Sequence, residues 1–239
     1  MPLVAAAVCP HPPVIVPEIA AGAADELDDL REACDEAVAR LLAAEPHIVC
    51  VLGAGPATAD HSYPFRASFA GWGVPVEAHL GDPATTGPAL PLSVAVGVWL
   101  LRRALDAGRV RRPTAWQVAT VHPGTPPQEC VRFGERLGRS TSLGLLAVGD
   151  GSACRHLKAP GYLDPRAESF DATVTKALSD ADPAALLALD PVLADELMVA
   201  GRAPWQVLAG AVTAPLRGEL LYDHAPYGVQ YTVASWEPA

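Results

Sequence analysis

The chain has 239 residues, enough for one large domain or two small ones. Half of them are hydrophobic, 18% are charged and only 6% are aromatic, so a sizeable core built from Ala, Val and Leu is expected. The net charge of −10 argues against nucleic acid as a partner, because neutralising phosphates takes clustered Lys and Arg.

No apolar stretch reaches the ~18 residues of a spanning helix, and no basic region precedes the first hydrophobic run. Neither a membrane partner nor a conventional signal peptide is expected. The five cysteines (9, 34, 50, 130 and 154) are odd in number, scattered and without a C-x-x-C pair. That pattern points to reduced thiols and a cytoplasmic protein.

Leu3 to Val8 is a short continuous apolar run, the pattern of a buried strand. A proline-rich turn, Cys9-Pro10-His11-Pro12-Pro13, follows it. From Ala23 to Ala44 apolar residues recur at spacings of three and four, which predicts an amphipathic helix that Pro46 ends. Asp25, Glu26, Asp28 and Asp29 suit the positive end of its dipole. His47 to Leu52 reads as a second buried strand with a flexible exit at Gly53-Ala54-Gly55-Pro56.

Leu92 to Ala107 is a further helix, with Arg102, Arg103, Arg109, Arg111 and Arg112 decorating its end and a solvated loop. Thr114 to Val121 is a third strand, Pro126 to Leu137 a helix, and Ser142 to Val148 a fourth strand leading into Gly149-Asp150-Gly151-Ser152. Helices over 165–179, 183–189, 191–200 and 203–212 come next, then a closing pair of strands, Leu216 to Tyr222 and Val229 to Ser235. The expected fold is α/β: a single domain over 1–239, a mixed β-sheet flanked by helices on both faces. Ligands in such folds bind beyond the carboxyl ends of the strands.

Several candidate residues lie just after predicted strands. His11 is clamped between prolines, which fix their own φ and stiffen the residue before them, so its imidazole is rigidly presented. His61 follows the second strand. If strands one and two are neighbours, the two histidines lie side by side, where imidazoles suit divalent iron, zinc or copper, with Asp60 placed to orient His61.

His122 and His156 are candidate acids or bases near the same edge. His224 follows Asp223 on the last hairpin, whereas His47 and His79 read as surface residues. Cys154-Arg155-His156 leaves a nucleophilic hydrolase or transferase open. G-x-S-x-G, H-E-x-x-H and Walker-type motifs are absent, and Gly53-Ala54-Gly55-Pro56 lacks the third glycine of a dinucleotide loop.

The opening C-P-H-P-P-V-I-V-P-E-I, the G-D-G-S at 149–152, the A-P-G-Y-L-D-P-R-A-E-S-F-D at 159–171 and the A-P-Y-G-V-Q-Y at 225–231 resemble the class III extradiol ring-cleavage dioxygenases and their Memo-like relatives. The resemblance implies a non-haem Fe(II) held by two histidines and a carboxylate, leaving one face open for a small aromatic substrate and O2. Carried over, His11 and His61 are the histidine ligands. Asp223 supplies the carboxylate, with Glu219 as the alternative. Active members carry a base histidine in a Ser-His pair; here Ala153 follows Ser152, and His156 is the nearest histidine. Memo-like relatives imply the alternative, a binding protein that keeps the cleft without ring cleavage; for the cofactor, another divalent metal or none is the alternative to Fe(II). A homo-oligomer is left open.

Overall fold

The computed structural model describes residues 3–81, 87–108, 112–139 and 142–239. Arg109 and Arg111 of the basic run lie outside the described residues. The strands are β1 (Leu3–Cys9), β2 (Ile48–Ala54), β3 (Ala59–Asp60), β4 (Phe65–Ser68), β5 (Glu77–Leu80), β6 (Ala115–Val121), β7 (Leu143–Val148), β8 (Leu216–His224) and β9 (Tyr231–Pro238). The α-helices are α1 (Pro17–Ala20), α2 (Asp28–Ala43), α3 (Leu92–Asp106), α4 (Pro127–Leu137), α5 (Ala167–Ser179), α6 (Pro183–Leu187), α7 (Pro191–Glu196) and α8 (Arg202–Ala211).

Seven strands form one mixed sheet in the order β3-β6-β2-β7-β1-β9-β8. The central strands β6, β2, β7 and β1 are parallel, while β3, β9 and β8 pair antiparallel to their neighbours. A parallel sheet must be covered on both faces, and β7 is buried at all six residues. One apolar layer joins the sheet to α4, α5, α6, α7 and α8. The opposite layer joins it to α2, α3 and the small β4–β5 hairpin sheet. The single α/β domain with helices on both faces is thus the observed fold.

Two local expectations change. The segment 23–44 is not one helix: Ala21–Leu27 is 3-10 and the α-helix begins at Asp28, with no side-chain cap at either start. Gly53 and Ala54, expected as a flexible exit, belong to β2, because their ladder with β6 continues as far as Val121.

The larger correction is topological: β1 and β2 are not neighbours, since β7 pairs with both. A continuous apolar strand that can be buried on both faces takes the central position between them. It carries the loop that begins at Gly149 to the side of His11, where Gly149 N–H donates to the Cys9 carbonyl (2.9 Å).

Candidate functional site

The Pro10-His11-Pro12 turn leaves β1 at the carboxyl edge of the sheet, and the loop after β7 leaves beside it. Asp150, in that loop, meets His11 twice. Its Oδ1 accepts the His11 backbone N–H at 2.7 Å, and His11 Nδ1 lies 3.3 Å from the same oxygen. The second contact is an ion pair without hydrogen-bond alignment. Burial pulls the imidazole pKa down, but the Asp150 charge and contact outweigh it and raise the value above the ordinary 6.5. Asp150 also lies near Tyr231 at the start of β9, whose phenol is pushed well up by burial first and that charge second.

A buried polar chain continues from this pair. Gly151 N–H donates to the Gln230 carbonyl and Gln230 N–H to the Ser152 carbonyl, both at 2.8 Å. Asp171 of α5, 2% exposed, accepts Ser152 N–H (2.8 Å) and Ser152 Oγ–H (2.5 Å), with Arg155 Nη1 at 3.2 Å. Burial raises the Asp171 pKa, although Ser152 and Arg155 pull against it. Arg155 Nη1 also donates to Gln230 Oε1 at 2.8 Å, and Gln230 Nε2 donates to Asp223 at 2.5 Å. The segments 149–152, 159–171 and 225–231, far apart in sequence, therefore meet at one place.

The expected iron ligands do not. His61 follows β3 at the far edge of the sheet, where its backbone N–H donates to Val118 O (2.8 Å). Its Nε2 lies 3.1 Å from Thr120 Oγ1, and the Thr120 hydroxyl donates to Ala57 O, so the ring nitrogen is the donor in that contact. Burial lowers the His61 pKa, against the opposing pull of Asp60. Strands β6, β2 and β7 separate β3 from β1, a span of about 19 Å at ~4.8 Å per strand. Ligands at ~2.0–2.2 Å from one metal cannot bridge it.

Asp60, expected to orient His61, faces Arg136 at 3.7 Å. Asp223 points to α5, accepting from Gln230 and from Thr175 Oγ1 (3.0 Å). Glu219 sits further back on β8 and is paired with Arg40 at 2.6 Å. Among the described residues no group of three His, Cys, Asp or Glu side chains is placed to hold a metal ion. The donor set His11, His61 and Asp223 does not fit a facial triad.

The candidate acid–base residues are also apart. His122 is exposed after β6, its Nδ1 accepting the Gly124 N–H at 3.0 Å. His156 is exposed in the loop after β7, its Nδ1 accepting the Lys158 N–H at 3.1 Å. Cys154 is buried, hydrogen-bonded to the Leu197 carbonyl (3.5 Å), and its thiol is pushed up by burial first and by Asp164 and Asp171 next. That environment opposes a thiolate nucleophile. Sequence reasoning missed the partners of His11 and of Arg155. The signal was the acidic residue in Gly149-Asp150-Gly151, whose strand had to be placed beside β1 before it meant anything.

No family model and no curated protein matches the chain. Among solved structures, the crystal structure of an uncharacterized protein JW3007 from Escherichia coli K12 superposes with a TM-score of 0.59 at 14% identity, over 98% of this chain and 99% of that one. At that identity the likeness is one of fold.

Proposed function

We propose that this chain is a small-ligand-binding protein of the class III extradiol dioxygenase-like fold that keeps the cleft at the carboxyl edge of the sheet and does not cleave aromatic rings. The observation that carries this reading is the separation of the three donors. His11 is paired with Asp150, while His61 and Asp223 are each engaged elsewhere and lie strands away. What supports a ligand site there is a hollow beside the hydrogen-bonded Gly149–Ser152 loop, lined by Arg155, His156, Lys158, Ala225, Tyr227 and Gly228. A cytoplasmic setting belongs to the same proposal, supported by five unbridged, buried cysteines. Among the described residues no helix is long and apolar enough to cross a membrane.

Metal content after anaerobic purification, with oxygen uptake measured on a panel of catechols, tests the reading. The expected result is no stoichiometric metal and no uptake. Stoichiometric iron that is lost in His11→Ala, together with catechol-dependent uptake, overturns it in favour of Fe(II)-dependent ring cleavage of a small aromatic substrate by O2.

A further inference from the structure

We propose that the hollow between the loop after β7 and the β8–β9 hairpin binds the carboxylate or phosphate group of a small anionic ligand. The inference rests on the reading of this edge as a ligand cleft and names the chemistry of its occupant. The hollow measures 490 Å³ and is lined by Arg155, His156, Lys158, Ala225, Tyr227 and Gly228. That is within the ~300–1,000 Å³ range of small-molecule sites. No carboxylate lines it, in a chain that carries 27 acidic residues against 17 basic ones.

The basic groups are held as donors. Arg155 is held in place by Asp171 and Gln230. Glu168, 3.9 Å from Arg155, lines an adjoining hollow together with Asp171, Gln230 and Asp223. His156 accepts the Lys158 N–H through Nδ1, which leaves the proton of the neutral ring on Nε2 as a donor.

Lys158 forms no ion pair among the described residues, whereas Lys176, the other lysine of the chain, sits 2.5 Å from Asp180. The outer carboxylate, Glu26, is engaged by the Tyr227 phenol at 2.7 Å.

The wall is also preformed. Gly228 has φ +78, and a Cβ there would sit 2.6 Å from the Ala159 Cβ and 2.9 Å from the His156 Cβ. Its carbonyl accepts the Arg155 N–H at 3.0 Å, which locks hairpin and basic loop together. A site whose donors are already placed loses less ordering entropy when its ligand arrives.

Calorimetric titration of the full chain with inorganic phosphate, with glutarate and with neutral catechol, at low and at moderate salt, tests the inference. At least one anion is expected to bind saturably and more weakly at higher salt. Affinity should fall about tenfold or more in Lys158→Glu, where a like charge faces the ligand, and stay at the parental value in Lys176→Glu. Which anion binds distinguishes a carboxylate ligand from a phosphate one. Catechol binding that Lys158→Glu leaves unchanged, with no anion bound, overturns the anionic assignment and leaves the cleft reading standing. Failure of all three probes overturns both.

Discussion

A histidine held against a carboxylate in a nearly closed turn does not titrate as a free one does, and the consequence reaches the stability of the protein. The Asp150 charge raises the His11 pKa above the ordinary 6.5. The folded state therefore binds the imidazole proton more tightly than the unfolded chain does. The stabilisation is complete below the unfolded value and is lost as pH rises through the raised folded one. Asp150→Asn keeps an oxygen for the His11 N–H and removes only the charge. The stability gap between parent and variant, measured by urea unfolding, is expected to be widest near about pH 5.5 and to narrow by about pH 9. A gap that is constant or grows with pH would show that the pair is not charge-coupled. Residue by residue, the sequence made His11 legible because prolines advertise a fixed backbone. It could not make Asp150 legible as its partner, since that contact spans 139 positions and depends on which strands lie side by side.

At the scale of elements, hydrophobic periodicity located every long helix and every strand of the parallel core, with ends displaced by a few residues where no cap defines them. Periodicity says which face is buried, but not how closely two faces approach. The packing of α4 on α8 shows what that leaves out. A Cβ at Gly134 would run into the Val207 carbonyl oxygen and lie 2.6 Å from Ala211 N, and one at Gly210 would lie 2.6 Å from Val131 O. These are backbone atoms that no rotamer change can move aside. Alanine is the better helix former by about 1 kcal/mol, yet forcing atoms into a filled contact costs about 1–3 kcal/mol and sometimes more. The steric effect should win. Gly134→Ala is expected to lower the urea midpoint by the equivalent of about 1–2 kcal/mol or more with an unchanged slope. Gly22→Ala, where nothing lies within 4 Å, should leave the midpoint within about 0.5 kcal/mol of the parent.

For the whole molecule, strand order is the property that decided the site, and it was the least legible. Local pattern marked β7 as a strand but could not say which strands flank it; placing it between β1 and β2 moves His61 far from His11 and brings Asp150 close. The same order sets a gradient of protection across the sheet. Strand β7 is paired on both sides and buried at every position, whereas β8 is an edge strand, half-exposed along its length and interrupted by a register shift between Leu220 and Tyr222. Such shifts and the charges of Arg217, Glu219 and Asp223 are what keep an edge from recruiting another strand. Hydrogen exchange read by mass spectrometry should therefore find the peptide over Leu143–Val148 slowest and the one over Leu216–His224 much faster, at every protein concentration. Protection of β8 that rises with concentration would mean that a second copy covers the edge, in spite of those charges. Protection as strong as that of β7, and independent of concentration, would mean that β8 is not an edge at all. The order that separates the three expected metal ligands would then have to be redrawn.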